Sequence, residues 1–574
     1  MPTVAETIVT TLADLGVTTF WGVVGDALNP VTDAVRREER IEWIGVRHEE
    51  VGAFAAGAQA QLTGTLGVCL GTVGPGSLHL LNGLYDARKS HAPLLAICGQ
   101  VPLAELGSEF FQEVDNDAVF RDVAVYCRTL TSPDQLRTML DQALQRALTE
   151  RGVAVLTLPG DIGGLDAPGP GPHLSTERRP VVPDPHALEQ AAALLADAGA
   201  VTLLVGAGAR HARAEVLALA DRLAAPMVLT LKAKEGLEHD NPFAVGQSGL
   251  IGNPAAARAF DRCDALLMVG TDFPYSDWYP TGKTVIQIDE RSEHLGRRTD
   301  VSLGIAGDAR LGAQGLLERL TAKSDRGHLD DATGRYAGWV GHQRRLVDPD
   351  YDTRGIVQKV RTAFDDPDRR IRPEAVAAAL DRQAADDAIF TSDTGMSTVW
   401  LSRFVTMRGT RRLLGSYNLG SMANAMPQAL GAQALDRTRE VVAFCGDGGL
   451  TMLLGDLITA VAHELPVRLV VFNNGRLGMV KLEQEQAGLP EFGTKLGDVD
   501  LAAIARAVGL QALRVERAEE LDEAARSMFA VPGPSLLDVV TNPDEVSLPP
   551  KVTRHEAWGF AIAKLTETLE SREA

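Results

Sequence analysis

Two glycine-flanked polar turns carry the sharpest chemistry in the sequence. Asp447 sits in Gly446-Asp447-Gly448-Gly449, directly after the apolar run Val441–Cys445, and Asn474 sits in Asn473-Asn474-Gly475 after Val467–Phe472. The interval is 474 − 447 = 27 residues, room for one helix and one strand. Such a βαβ unit sets both turns side by side at the carboxyl edge of adjacent parallel strands. A carboxylate from Asp447, an amide oxygen from Asn474 and the backbone carbonyl of Arg476 then offer hard oxygen ligands with open positions. That donor set suits Mg²⁺, which completes its octahedron with diphosphate oxygens and water. Gly446, Gly448 and Gly449 let backbone N–H groups approach the phosphates, and the helix that follows points its N-terminus at them. Either turn alone is a common turn sequence. Together, each behind an apolar strand, they predict a diphosphate–metal site.

These turns need a scaffold, and the sequence supplies one repeatedly. Short apolar runs end in glycine or an acid: Phe20–Val24, Leu66–Leu70, Leu94–Cys98, Val201–Val205, Ala265–Val269, Val285–Ile288, Ala388–Phe390, Val441–Cys445 and Arg468–Phe472. Each reads as a buried parallel strand opening into a loop. Segments of helical period lie between them, among them Glu50–Leu62, Pro133–Glu150 and Pro185–Ala198. The alternation predicts an α/β fold of doubly wound parallel sheets. Two stretches break the rhythm and read as connections. Asp161–His186 is rich in Pro and Gly, and Lys323–Pro373 is polar, with helical patterning at Gly334–Leu346 and Arg354–Phe364. Three domains follow, at 1–160, 185–325 and 370–545, with a tail at 546–574; the first and third share a strand–turn–helix grammar.

Composition narrows the class. Of 574 residues, 56 are Lys or Arg and 76 Asp or Glu, a net charge of −20 that opposes phosphate backbones, so nucleic acid is not an expected partner. Hydrophobic residues at 45% and charged residues at 23% mark an ordinary globular chain. No stretch approaches the ~20 apolar residues of a membrane span. The five cysteines are scattered without a CxxC or CxxH pair, which predicts neither disulfides nor a zinc site. Residues 1–35 contain no Lys or Arg, so the start does not read as a secretion signal, and the expected compartment is the cytoplasm.

The GDG…NN pair resembles the cofactor signature of thiamine-diphosphate enzymes. Val46-Arg47-His48-Glu49-Glu50 with the helix behind it, and Gly74-Pro75-Gly76 with Leu78–Gly83, resemble further parts of that family. Over about residues 5–550 the chain is most similar to the flavin-containing pyruvate oxidases, among them the bacterial pyruvate:quinone oxidoreductases. The resemblance implies a pyrimidine-binding first domain, a central FAD-binding domain and a diphosphate-binding third domain. It implies thiamine diphosphate, Mg²⁺ and FAD as cofactors. Glu49 becomes the carboxylate on the aminopyrimidine ring, which activates the thiazolium carbon; the apolar Val51, Phe54 and Ala55 desolvate it. Glu50 is expected to be a solvated neighbour. Met422, in Gly420-Ser421-Met422, becomes the apolar wedge under the bent cofactor, and Gly395 and Met396 another diphosphate-edge turn. Phe111 and Gln112 reach the site from a second subunit, so the active site spans two chains and the expected assembly is a homotetramer.

The central segment opens with Gly206-Ala207-Gly208, but His211 stands where a dinucleotide fingerprint has its third glycine, and no acid closes the next strand. The flavin-bearing relatives supply a better pattern. By resemblance FAD is held by Gly206, Gly208, Ser248, Gly249, Leu250, Ile251, Thr271, Asp272, Phe273, Pro274, Tyr275, Asp289 and Asp308. Val480 and Glu483 match positions near the substrate, where Glu483 handles a proton or orients the 2-oxo acid. Met479 departs from the bulky aromatic of the quinone-reducing relative. The implied reaction is oxidation of pyruvate to acetate and CO2, with electrons passing to FAD and then to a quinone or other acceptor. The rival within the family is an acetolactate synthase-type carboligase whose FAD is idle, and a non-catalytic assembly protein is the rival outside it. Trp558, Ile562, Leu565 and Leu569 pattern a short amphipathic tail helix that also carries Glu556, Glu567, Glu570 and Glu573, a poor match for anionic lipid. Packing on its own domain is the expectation; peripheral membrane contact is the alternative.

Overall fold

The computed structural model describes residues 1–167, 179–348 and 371–543. It contains three six-stranded sheets, and every pairing within them is parallel. The first holds β1 (Thr19–Gly22), β2 (Glu42–Gly45), β3 (Gly67–Gly71), β4 (Leu94–Gln100), β5 (Ala124–Thr129) and β6 (Val153–Pro159), in the order β2-β1-β3-β4-β6-β5. The second holds β7 (Val201–Val205), β8 (Met227–Leu229), β9 (Ala244–Gln247), β10 (Ala265–Val269), β11 (Thr284–Asp289) and β12 (Leu303–Ala306), in the order β12-β11-β10-β7-β8-β9. The third holds β13 (Ile389–Ser392), β14 (Arg412–Gly415), β15 (Val441–Gly446), β16 (Arg468–Asn473), β17 (Gln511–Val515) and β18 (Ser535–Val540), in the order β14-β13-β15-β16-β18-β17. Counted within their own domains, the first and third sheets have the same strand order. The central order is that of dinucleotide-binding sheets, in which ligands sit where the order reverses, here between β7 and β10.

The outer domains share one hydrophobic interior. Its members run from Trp21, Val51 and Ala55 in the first domain to Ala429, Leu430 and Leu469 in the third. At its centre, helix Glu49–Thr63 packs on helix Ala425–Leu435, and each is buried over most of its length. Both are rich in Ala and Gly, so their backbones approach closely. A Cβ at Gly431 would overlap the Ala55 carbonyl oxygen and stand 2.7 Å from the Ala55 Cα. The first helix ends at Gly64, whose φ of +74° gives the left-handed cap that glycine adopts without strain. The central domain has separate interiors around Leu203 and Leu267 on one side and Phe260 and Met268 on the other.

The connections differ from their sequence reading in one respect. Asp161–Ala167 is not linker but packed chain: Ile162 and Ala167 are buried, and the backbone of Val4 and Ala5 donates to Leu165 and Gly163. Those two apolar side chains outweigh the flanking glycines. The proline–glycine run at 168–172 lies outside the described residues, as do Arg354–Phe364 and the tail at 546–574. Helix Gly327–Leu346 covers the other helical stretch expected in the second connection and starts a turn or two earlier. Among the described residues no helix is long and apolar enough to cross a membrane.

Candidate active site

β15 and β16 are adjacent and parallel, with Gly446 opposite Phe472, so the turns after them share one sheet edge. Asp447, Asn474 and Arg476 line a single cavity of about 80 Å3 there, with Gly395, Met396, Met422, Gly446, Gly448 and Gly449. The Asp447 carboxylate accepts the N–H of Gly448 at 2.8 Å and of Gly475 at 2.7 Å. Burial nevertheless pushes its carboxyl up to about 6, and among the described residues no Lys or Arg pairs with it. The Asn474 amide oxygen accepts the N–H of Arg476 at 3.0 Å. A buried carboxylate without a cation, beside an amide oxygen, is the environment a hard divalent ion relieves. Gly448 has no room for a Cβ, which would lie 2.8 Å from Leu477 and 3.3 Å from the Met422 Cε. Met422 therefore reaches the diphosphate turn, while Gly420 and Ser421 stand outside the lining.

Asp393, overlooked in sequence as a site residue, organises this edge. It is buried, and its two carboxylate oxygens accept the N–H groups of Ala425 at 2.9 Å and Gly446 at 3.0 Å. It thereby ties together the turns after β13 and β15 and the start of helix Ala425–Leu435. Burial pushes this carboxyl up to about 6 as well. Its signal was present: an acid closing a strand at Ser392-Asp393, as Asp447 does after β15.

Glu49 opens its helix and is buried. Its Oε2 lies 2.9 Å from His79 Nδ1, and the His79 ring stacks on His48 with centroids 4.4 Å apart. A Cβ at Gly76 would meet the Glu49 Oε1 at 3.1 Å, and one at Gly74 would meet Gln112 at 3.0 Å. The fold thus gathers Glu49, the Gly74–Gly76 turn and Gln112 in one place. Gln112 and Glu109 hold positive φ, at 66° and 59°, and Phe111 between them is 78% exposed. Glu49, Phe111 and Gln112 are not part of the lining around Asp447 in the same chain. Glu50 is not simply solvated: it accepts a hydrogen bond from Asn82 at 2.7 Å, and Asn82 also bonds Ser421.

A larger cavity, about 470 Å3, lies among all three domains. Ten of the residues expected around FAD line it: Gly208, Ser248, Leu250 and Ile251, the run Thr271 to Tyr275, and Asp289. Three stand aside. Gly206 and Gly249 permit close approach instead, since a Cβ there would meet Thr271 and Gly270, or Phe273. Asp308 caps helix Ala309–Leu317 through the N–H groups of Arg310 and Leu311 and bonds His211 at 2.7 Å. Sequence reading missed the cationic groups on this wall, Lys232, Arg210, Arg151 and Arg291. Lys232 bonds Ser90 at 3.1 Å, and burial pushes its ammonium down to about 8. Glu483 and Met479 line this cavity; Met479, Thr394 and Gly395 line both cavities, which therefore share a wall.

Comparison with known proteins agrees with this layout. Residues 2–119 match the model of the thiamine pyrophosphate enzyme N-terminal TPP binding domain, 188–316 that of the central domain, and 393–539 that of the C-terminal TPP binding domain. A Bacillus subtilis protein described as thiamine pyrophosphate-containing is 36% identical over all of this chain and 97% of its own. A pyruvate oxidase of Lactiplantibacillus plantarum is 31% identical over 99% of this chain and 93% of its own. An acetolactate synthase large subunit of Corynebacterium glutamicum is also 31% identical, over 94% of this chain and 87% of its own.

Proposed function

This chain belongs to the thiamine pyrophosphate-dependent enzyme family, and from that premise we propose that it oxidises pyruvate to acetate and CO2, passing the electrons to FAD and then to a quinone or other acceptor. What supports the oxidative reading is the wall of Thr394, Gly395 and Met479 common to the diphosphate cavity and the larger one: with thiamine diphosphate in the first and FAD in the second, electron donor and acceptor would lie side by side.

When bound, thiamine diphosphate supplies the nucleophilic carbon and the electron sink that decarboxylation requires. The chain's own residues do the rest. Asp447, Asn474 and the Arg476 carbonyl would hold Mg²⁺ at the diphosphate turns, while the Gly446 and Gly448 N–H groups are already taken by the Asp393 and Asp447 carboxylates. Met422, whose Cε reaches the diphosphate turn, would give the cofactor its apolar support. Glu49, buried at the start of its helix, would hold the proton on the aminopyrimidine nitrogen. Glu483 orients the 2-oxo acid. Because Glu49 and Gln112 lie apart from the Asp447 cavity of their own chain, a second copy completes the site, and the exposed Phe110 and Phe111 belong to that interface. We place the assembly, a homotetramer, in the cytoplasm.

The carboligase reading retains the support of the acetolactate synthase relative. Anaerobic addition of pyruvate separates the two. Bleaching of the flavin with release of acetate supports oxidation; an unchanged flavin spectrum with acetolactate formed refutes it. Glu49→Gln should abolish either turnover while the protein stays folded.

A further inference from the structure

The ten residues from Asp447 to Asp456 form one continuous stretch, helix Asp447–Met452 followed by the turn Leu454–Asp456. At its far end the Asp456 side chain is 1% exposed and crosses into the first domain. Its Oδ1 accepts the Arg47 N–H at 2.8 Å and the Thr459 hydroxyl at 2.7 Å, and its Oδ2 accepts the His48 N–H at 3.1 Å. Arg47 and His48 are the two residues before Glu49. A second contact comes from the same part of the third domain: His463 Nε2 accepts the Gly45 N–H at 3.1 Å. The chain from the last residue of β2 to the Glu49 helix is therefore held from the third domain at three of its residues, Gly45, Arg47 and His48.

A buried carboxylate is a costly way to fill space, and an apolar side chain of the same volume serves packing as well. What it adds is direction. Two N–H groups on two oxygens of one planar group fix two successive peptide planes, and so fix where the chain enters the helix at Glu49. Asp456 does not line the cavity around Asp447, so this geometry is not part of cofactor contact.

We propose that Asp456 is the positioning residue for Glu49, acting through the Arg47 and His48 peptides; the proposal rests on the reading of Glu49 given above. Mechanically it joins the two ends of one stretch: the metal carboxylate at its start and the entry to the activating glutamate at its finish.

The test uses the full chain loaded with thiamine diphosphate and Mg²⁺, and reads deuterium exchange at the thiazolium C2 by quenched NMR. Asp456→Asn keeps the shape but turns an amide N–H toward a backbone N–H. A misplaced Glu49 should slow exchange roughly 10- to 100-fold. Calorimetric affinity for thiamine diphosphate should stay near wild type, because the diphosphate turns are untouched. Thr459→Val removes the 2.7 Å bond to the same carboxylate, with a longer one of 3.4 Å to the Gly45 carbonyl, and should slow exchange by a smaller factor; it carries the test should the Asn variant not accumulate folded. Glu49→Gln is measured alongside. If it exchanges like wild type, the reading of Glu49 falls and this proposal with it. If Glu49→Gln is slow while Asp456→Asn and Thr459→Val exchange at the wild-type rate, the positioning role alone is overturned. Loss of cofactor affinity in a folded Asp456→Asn also overturns it, since the defect would then lie in the diphosphate turns.

Discussion

Replacing Gly431 with alanine probes the seam on which the two outer domains meet. Two effects compete. In a helix interior, glycine to alanine gains about 1 kcal/mol from backbone entropy. Against that, the new Cβ would stand 2.7 Å from the Ala55 Cα, where ordinary contact begins at 3.4 Å, so the helices must part by at least 3.4 − 2.7 = 0.7 Å. The neighbouring Ala55 carbonyl oxygen demands more. Overpacking costs about 1–3 kcal/mol where side chains can turn aside, and backbone cannot, so the upper end applies. The expected net is a loss of about 2 kcal/mol. Gly338 supplies the internal control: it lies within helix Gly327–Leu346 with nothing within 4 Å of an added Cβ, so Gly338→Ala should gain about 0.5–1 kcal/mol. Denaturant titration of both variants at unchanged slope reads the two signs directly. A midpoint for Gly431→Ala at or above wild type would refute the close packing described for these helices.

Three further outcomes follow from the site. Asp447→Asn should weaken Mg²⁺-dependent retention of thiamine diphosphate by roughly 100-fold, and chelation should do the same to the wild type; equal retention in EDTA would remove the metal from the reading. Lys232 is cationic below about 8 and neutral above it, so retention of the anionic FAD should fall as pH rises through that value. Lys232→Met should flatten the profile, and a flat wild-type profile, followed by flavin fluorescence, would sink the argument. Asp308→Ala should lower stability by about 1 kcal/mol through loss of the cap yet leave FAD affinity near wild type; a marked loss of flavin would make Asp308 a ligand after all.

Much of the architecture was legible because interior strands announce themselves. Ala265–Val269 is a continuous apolar run and Val201–Val205 is broken only by the buried Thr202; both are buried on both faces and fold as the sequence indicates. The edge strands β2, β5, β9, β12, β14 and β17 are partly exposed, so Glu42–Gly45 or Gln511–Val515 carry no comparable run. Asp447 and Asn474 were legible as turns at a fixed interval. Asp308 was ambiguous in principle, since an acid after a strand serves a ligand or a helix cap equally well; the structure shows the cap, between Gly307 and Ala309 on the wall of the larger cavity. Asp456 and Lys232 escaped notice for a different reason. Their partners are far away in the chain, as Asp456 is from the Arg47 peptide and Lys232 from the Ser90 hydroxyl, and no local pattern marks a side chain whose purpose is a distant group.

The shared interior of the outer domains also bears on how the protein is made. Helix Glu49–Thr63 is complete early in synthesis, but the helix that covers it begins at Ala425, so 425 − 63 = 362 further residues must be added first. At roughly 5–20 residues per second the ribosome takes about 20–70 s over that interval. Throughout it, the Ala- and Gly-rich face around Ala55 is a nascent surface waiting for its mate. A folding helper that shields this one face, or a pause that lengthens the wait, would therefore act on yield well before any cofactor is encountered.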